Sequence, residues 1–84
     1  MTDLQRSMRI FALRAIHLTD GPIVDGTLRV ALRAAFPAVA FTEGDLRDII
    51  TSLETDTLIA GTNDDLLGLV WALTPAGKIR AQQL

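Results

Sequence analysis

Eighty-four residues, 49% of them hydrophobic and 21% charged, predict one small domain of globular and not disordered composition. Cysteine is absent, so disulfides and thiolate metal sites are excluded, and no apolar run reaches the roughly 18 to 20 residues of a membrane span. The net charge of −2 is unevenly spread: residues 1–34 hold five arginines against three aspartates, and residues 35–84 hold three basic against seven acidic side chains.

The opening M-T-D-L-Q-R-S-M-R-I is polar and charged and does not read as a secretory signal. With the missing cysteines it predicts a cytoplasmic protein. Residues 3–19, free of Gly and Pro, predict a first helix. Leu4, Met8, Phe11, Ala12, Ala15 and Leu18 follow helical spacing and are expected in the core. Ile10 and Leu13 fall off that stripe, among Arg6, Arg9, Arg14 and His17. They are candidates either for deep burial or for contact with a helix of another subunit.

Asp20-Gly21-Pro22 ends this helix, and residues 22–24 suit only a short strand or extended link. Residues 27–36 predict a second helix with Leu28, Ala31, Leu32 and Ala35 inward and Arg29 and Arg33 outward; Pro37 stops it. Thr42 is a good N-cap, and Asp45 three residues on returns a hydrogen bond, so a third helix starts here and ends near Asp56. Its buried stripe is Leu46, Ile49, Ile50 and Leu53. Residues 58–62 and 69–73 then read as two strands around a turn-rich 63–68. Leu69, Trp71 and Leu73 alternate onto one strand face, toward the core. Thr74 as N-cap with Pro75 at the first helical position opens a last short helix to about Gln83. The expected class is a small α+β domain: helix, short strand, helix, helix, two-stranded hairpin, short C-terminal helix.

Catalytic and metal chemistry find little support in these residues. Gly77-Lys78 is followed by Ile79 and preceded by Ala72 where a phosphate-binding loop needs its first Gly, so no nucleotide cradle forms. His17, the single histidine, has neither a second ligand for zinc nor a nucleophile and acid for catalysis. Asn63-Asp64-Asp65 lacks the twelve-residue spacing of a calcium loop and reads as a solvated turn. The expectation is a chain that is not an enzyme and takes no cofactor or metal.

S-L-E-T-D-T-L-I-A-G-T at 52–62, followed by L-V-W-A-L-T-P-A-G-K-I-R at 69–80, resembles the C-terminal half of the multiple-antibiotic-resistance (MarR-like) and phenolic-acid-decarboxylase (PadR-like) transcriptional regulators. In those proteins a third helix ends in Leu-Glu, Leu-Ile enters the hairpin, and the returning strand closes on Leu-Thr-Pro-x-Gly. The resemblance covers residues 42–80 by motif and 1–41 by element order. It implies a winged helix-turn-helix domain whose third helix enters the DNA major groove while the wing follows the backbone.

Charge argues against the DNA part of that implication. Duplex affinity draws mostly on neutralised phosphates. The third helix and its flanks carry Glu43, Asp45, Asp48, Glu54 and Asp56 against Arg47 alone, and the hairpin turn adds Asp64 and Asp65. Both docking elements would repel phosphates. The favoured reading is therefore a regulatory or accessory module that contacts another protein or a second copy of itself. Its candidate contact residues are Leu66, Leu67, Asp64, Asp65, Ile10 and Leu13. The alternative is a DNA-binding regulator, acting as a dimer, that uses Arg29, Arg33, Arg47 and Thr51.

Overall fold

A computed structural model describes residues 2–84. Their order is α1 (Asp3–Thr19), β1 (Ile23–Val24), α2 (Asp25–Ala35), α3 (Glu43–Thr55), β2 (Ile59–Asp64), β3 (Gly68–Leu73) and α4 (Pro75–Gln82). The three strands form one antiparallel sheet in the order β1-β3-β2. The chain is a mixed α+β domain of four helices and a three-stranded sheet, a layout compatible with the expected winged helix.

Local chemistry explains most boundaries. The Thr42 hydroxyl accepts from the Asp45 N–H at 3.1 Å, and the Asp45 carboxylate accepts from the Thr42 N–H at 3.0 Å, so α3 begins in a complete capping box. Thr2 and Gln5 do the same for α1. α2 starts two residues before the expected Thr27. Val24 is its N-cap and makes no side-chain hydrogen bond, so the start carries no capping signal, while Asp25 in the first turn favours the helix dipole. The hairpin strands run further than expected, through Asn63 and Asp64 to a pairing of Asp64 with Gly68, and Gly68 takes the left-handed φ of 78° that closes the turn.

The core joins all layers. Met8, Ala12, Leu13 and Ile16 of α1, Leu28 and Leu32 of α2, and Leu46, Ile49, Ile50 and Leu53 of α3 meet Ile23, Ile59 and Trp71 of the sheet. The expected α3 stripe is buried throughout. On α1 the expected Met8 and Ala12 are buried and Phe11 and Ala15 pack against the core, but the buried arc is turned toward Leu13 and Ile16 and leaves the expected Leu4 and Leu18 outside. Leu13 lies in the core, whereas Leu18 is 82% exposed and Leu4 40% exposed. The rotation follows from packing: α1 touches α2, α3, α4 and β3, so its buried arc turns toward Leu13 and Ile16. Ala35, expected inward, is also exposed. Phe11, Phe36 and Phe41 stack edge to face at centroid separations of 6.0 and 6.3 Å and pin the α2–α3 connection onto α1.

The Thr-Pro-Ala-Gly segment joins α4 to the end of α3. Thr74 caps α4 by accepting from the Gly77 N–H at 3.0 Å, and its hydroxyl donates to the Thr57 carbonyl at 2.5 Å. The Thr74 N–H donates to the Leu58 carbonyl at 3.1 Å. Gly77 packs against that same carbonyl with no room for a side chain. Gly77 thus lets α4 pack closely on the α3–β2 connection.

Candidate interaction surface

Arg29 and Arg33, one turn apart on α2, both reach the carboxylate of Glu43 at the start of α3. Arg29 donates to Glu43 Oε2 at 2.9 Å and Arg33 to Oε1 at 2.8 Å, so each oxygen has its own guanidinium. Arg29 also donates from Nε to Asp25 at 2.9 Å, and Arg33 to the Phe41 carbonyl at 3.0 Å. The hydrogen bond from Arg33 is the largest influence on the Glu43 carboxyl; desolvation opposes it, and the Arg33 charge with the bond and charge of Arg29 add to it, so the carboxyl is held below its ordinary range. Asp25 reaches further: its second oxygen accepts from the Trp71 indole at 2.8 Å. A chain of contacts therefore runs from β3 through α2 to α3, and within it two arginines face two carboxylates.

The α2 arginines are thus already engaged. Of the four candidate DNA contacts, Arg47 and Thr51 are exposed on α3, and Arg47 has no hydrogen bond or ion pair among the described residues. Arg9, which reaches the turn after α3 from α1, pairs with Asp56. What remains unpaired on the outer side of α3 is Asp48 and Glu54 beside Arg47, with Asp45 engaged only in its own cap.

The hairpin tip is the apolar counterpart. Leu66 is 93% exposed and Leu67 59%, so these leucines do not fold back under the sheet. Their backbone is fixed: Asp64 Oδ1 accepts from the N–H of Leu66 at 2.8 Å and of Leu67 at 2.9 Å. Those bonds, Leu67's first, lower the Asp64 carboxyl below its ordinary value and make the acidic turn an ordered loop. Leu69, expected toward the core beside Trp71, is instead exposed beside the hairpin turn and continues the apolar surface along β3. Trp71 is only 6% exposed; its ring covers Gly61 on β2, consistent with its expected core role.

The remaining candidates separate. Leu13 is 3% exposed and is withdrawn as a contact residue, because four elements close over its face of α1. Ile10 is half-buried. Among the described residues no three His, Asp or Glu side chains converge as a metal site, and no helix is long and apolar enough to cross a membrane. Sequence reasoning missed Glu43 as the residue that joins the two arginines; the signal was its place ten and fourteen residues after them, at the start of the next helix. No protein-family model matches the chain, and no curated protein or solved structure shows significant similarity to it.

Proposed function

We propose that the chain is a non-enzymatic winged-helix module that acts through protein–protein contacts, with the β2–β3 hairpin as its wing and the wing tip as its contact point. The observation that carries this reading is the engagement of Glu43 by Arg29 and Arg33. It pairs with acid the two α2 arginines that would otherwise offer positive charge to a duplex, while Asp64 and Asp65 precede two exposed leucines at the tip. An ordered acidic loop that presents apolar side chains suits a partner with an apolar pocket rimmed by basic groups. The chemistry fits a small regulatory or accessory protein of the cell interior.

The test is affinity capture with the native chain and with a Leu66→Ser/Leu67→Ser variant. Both leucines are exposed, so the variant keeps its far-ultraviolet circular dichroism. The reading expects the specific partners of the native chain to be lost by the variant. Identical sets of partners would contradict it.

Exposed and unpaired Arg47, beside Thr51 on the outer face of α3, supports a second reading as a DNA-binding regulator that docks as a dimer. In that reading Arg29 and Arg33 would have to leave Glu43 to reach phosphates.

A further inference from the structure

We infer that the partner of the hairpin tip is a second copy of this chain, whose cleft between the end of α1, β3 and α4 receives Leu66 and Leu67. The inference rests on the interaction-module reading and names the occupant of its contact surface. The cleft has a volume of about 420 Å³, within the size range of ligand pockets. Pro22, Ala72 and Leu73 give it apolar walls over the buried Ile16, and His17, Asp20 and Lys78 stand around them.

Tip and cleft are chemical complements. The tip offers two exposed leucines and the Asp65 carboxylate; the cleft offers apolar walls and the Lys78 ammonium. Neither Asp65 nor Lys78 has a hydrogen bond or ion pair from its side chain among the described residues. Asp20 fixes the approach, because Asp65 must enter on the Lys78 side to avoid a like charge. The wider surface has the same polarity. α1 and α4 expose Arg6, Arg14, Lys78 and Arg80 against Asp3, whereas α3 and the tip expose Glu43, Asp45, Asp48, Glu54, Asp64 and Asp65 against Arg47.

A chain cannot fill its own cleft. Leu73 lines the cleft and Gly68 begins the tip, five residues along the straight strand β3, or about 17 Å by strand rise. The contact therefore joins two copies. Each copy carries both a tip and a cleft, so one such contact leaves one tip and one cleft free, either for further copies or for the reciprocal contact that closes a twofold dimer. Its charged rim is screened by salt.

Sedimentation velocity on the full chain tests this at about 50 mM and about 500 mM salt, conditions that differ severalfold in screening. The native chain is expected to show a sedimentation coefficient that rises with concentration, more steeply at low salt. Lys78→Glu alone and Leu66→Ser/Leu67→Ser alone should each sediment as monomers. Their equimolar mixture should form a 1:1 dimer, since one variant keeps an intact tip and the other an intact cleft. A native chain that stays monomeric at all concentrations overturns the inference. So do single variants that associate like the native chain, or a mixture that remains monomeric. If another protein is still captured through the tip in that case, the module reading stands without self-association.

Discussion

Gly77 stands so close to the Leu58 carbonyl that a Cβ on it would lie 1.9 Å from that oxygen. The oxygen cannot easily retreat, because it accepts the Thr74 N–H at 3.1 Å. The glycine of the Thr-Pro-Ala-Gly segment is thus required by contact between α4 and the α3–β2 connection. Gly77→Ala should cost about 3 kcal/mol, at the upper end for overpacking, as read from urea unfolding midpoints.

Gly44 in the first turn of α3 is the opposite case. A Cβ there meets only the Thr42 hydroxyl oxygen, at an ordinary 3.6 Å. Gly44→Ala should stabilise the domain by about 0.4–1 kcal/mol through the unfolded chain. In a domain of this size that raises Tm by a few degrees, measured by thermal circular dichroism.

Trp71 holds β3 to α2 through its indole N–H and Asp25. Trp71→Phe removes the donor and part of the ring that covers Gly61. Asp25 keeps its bond from Arg29 through its other oxygen, so the loss should be about 1.5–3 kcal/mol, the range for a hydrogen bond to a charged group. Phe keeps an aromatic ring but neither the indole donor nor the full ring, and denaturant titration followed by circular dichroism reads the loss.

The lowered Glu43 carboxyl makes the α2–α3 contact pH-dependent. A depressed folded value means the unfolded chain takes up the proton first, so the contribution is fully present above the ordinary glutamate value of about 4.5 and fades as pH falls through the folded value. Glu43→Gln should therefore be less stable than the native chain at pH 7, and the gap should narrow in acid below about pH 4.5. A gap that stays constant across that range would show that the carboxylate charge is not what matters.

How much of this was legible in the sequence depends on the range of the contact concerned. The α3 capping box needs only Thr42 and Asp45, and α4 announces itself through Thr74 and Pro75; both are local and both are in place. The start of α2 was missed because Val24 gives no capping bond. The middle of the buried face of α1 is legible in Met8, Phe11, Ala12 and Ala15, but its turn away from Leu4 and Leu18 toward Ile16 is decided by four packed neighbours, which helical spacing does not encode. At the candidate surface the acidic turn is readable from Asn63 to Asp65, whereas Leu66 and Leu67 could equally fold back under the hairpin, and only the structure shows them exposed. The pairing of Glu43 with Arg29 and Arg33 was not, because it requires knowing how α2 and α3 cross.

The most direct test of the central claim is fluorescence anisotropy of a labelled random DNA duplex titrated with the native chain at about 50 mM salt, where phosphate contacts are strongest. With Arg29 and Arg33 held by Glu43, the predicted result is a flat titration, and an equally flat one for Arg29→Glu/Arg33→Glu. Tight binding that weakens steeply with salt and disappears in that variant would contradict the account.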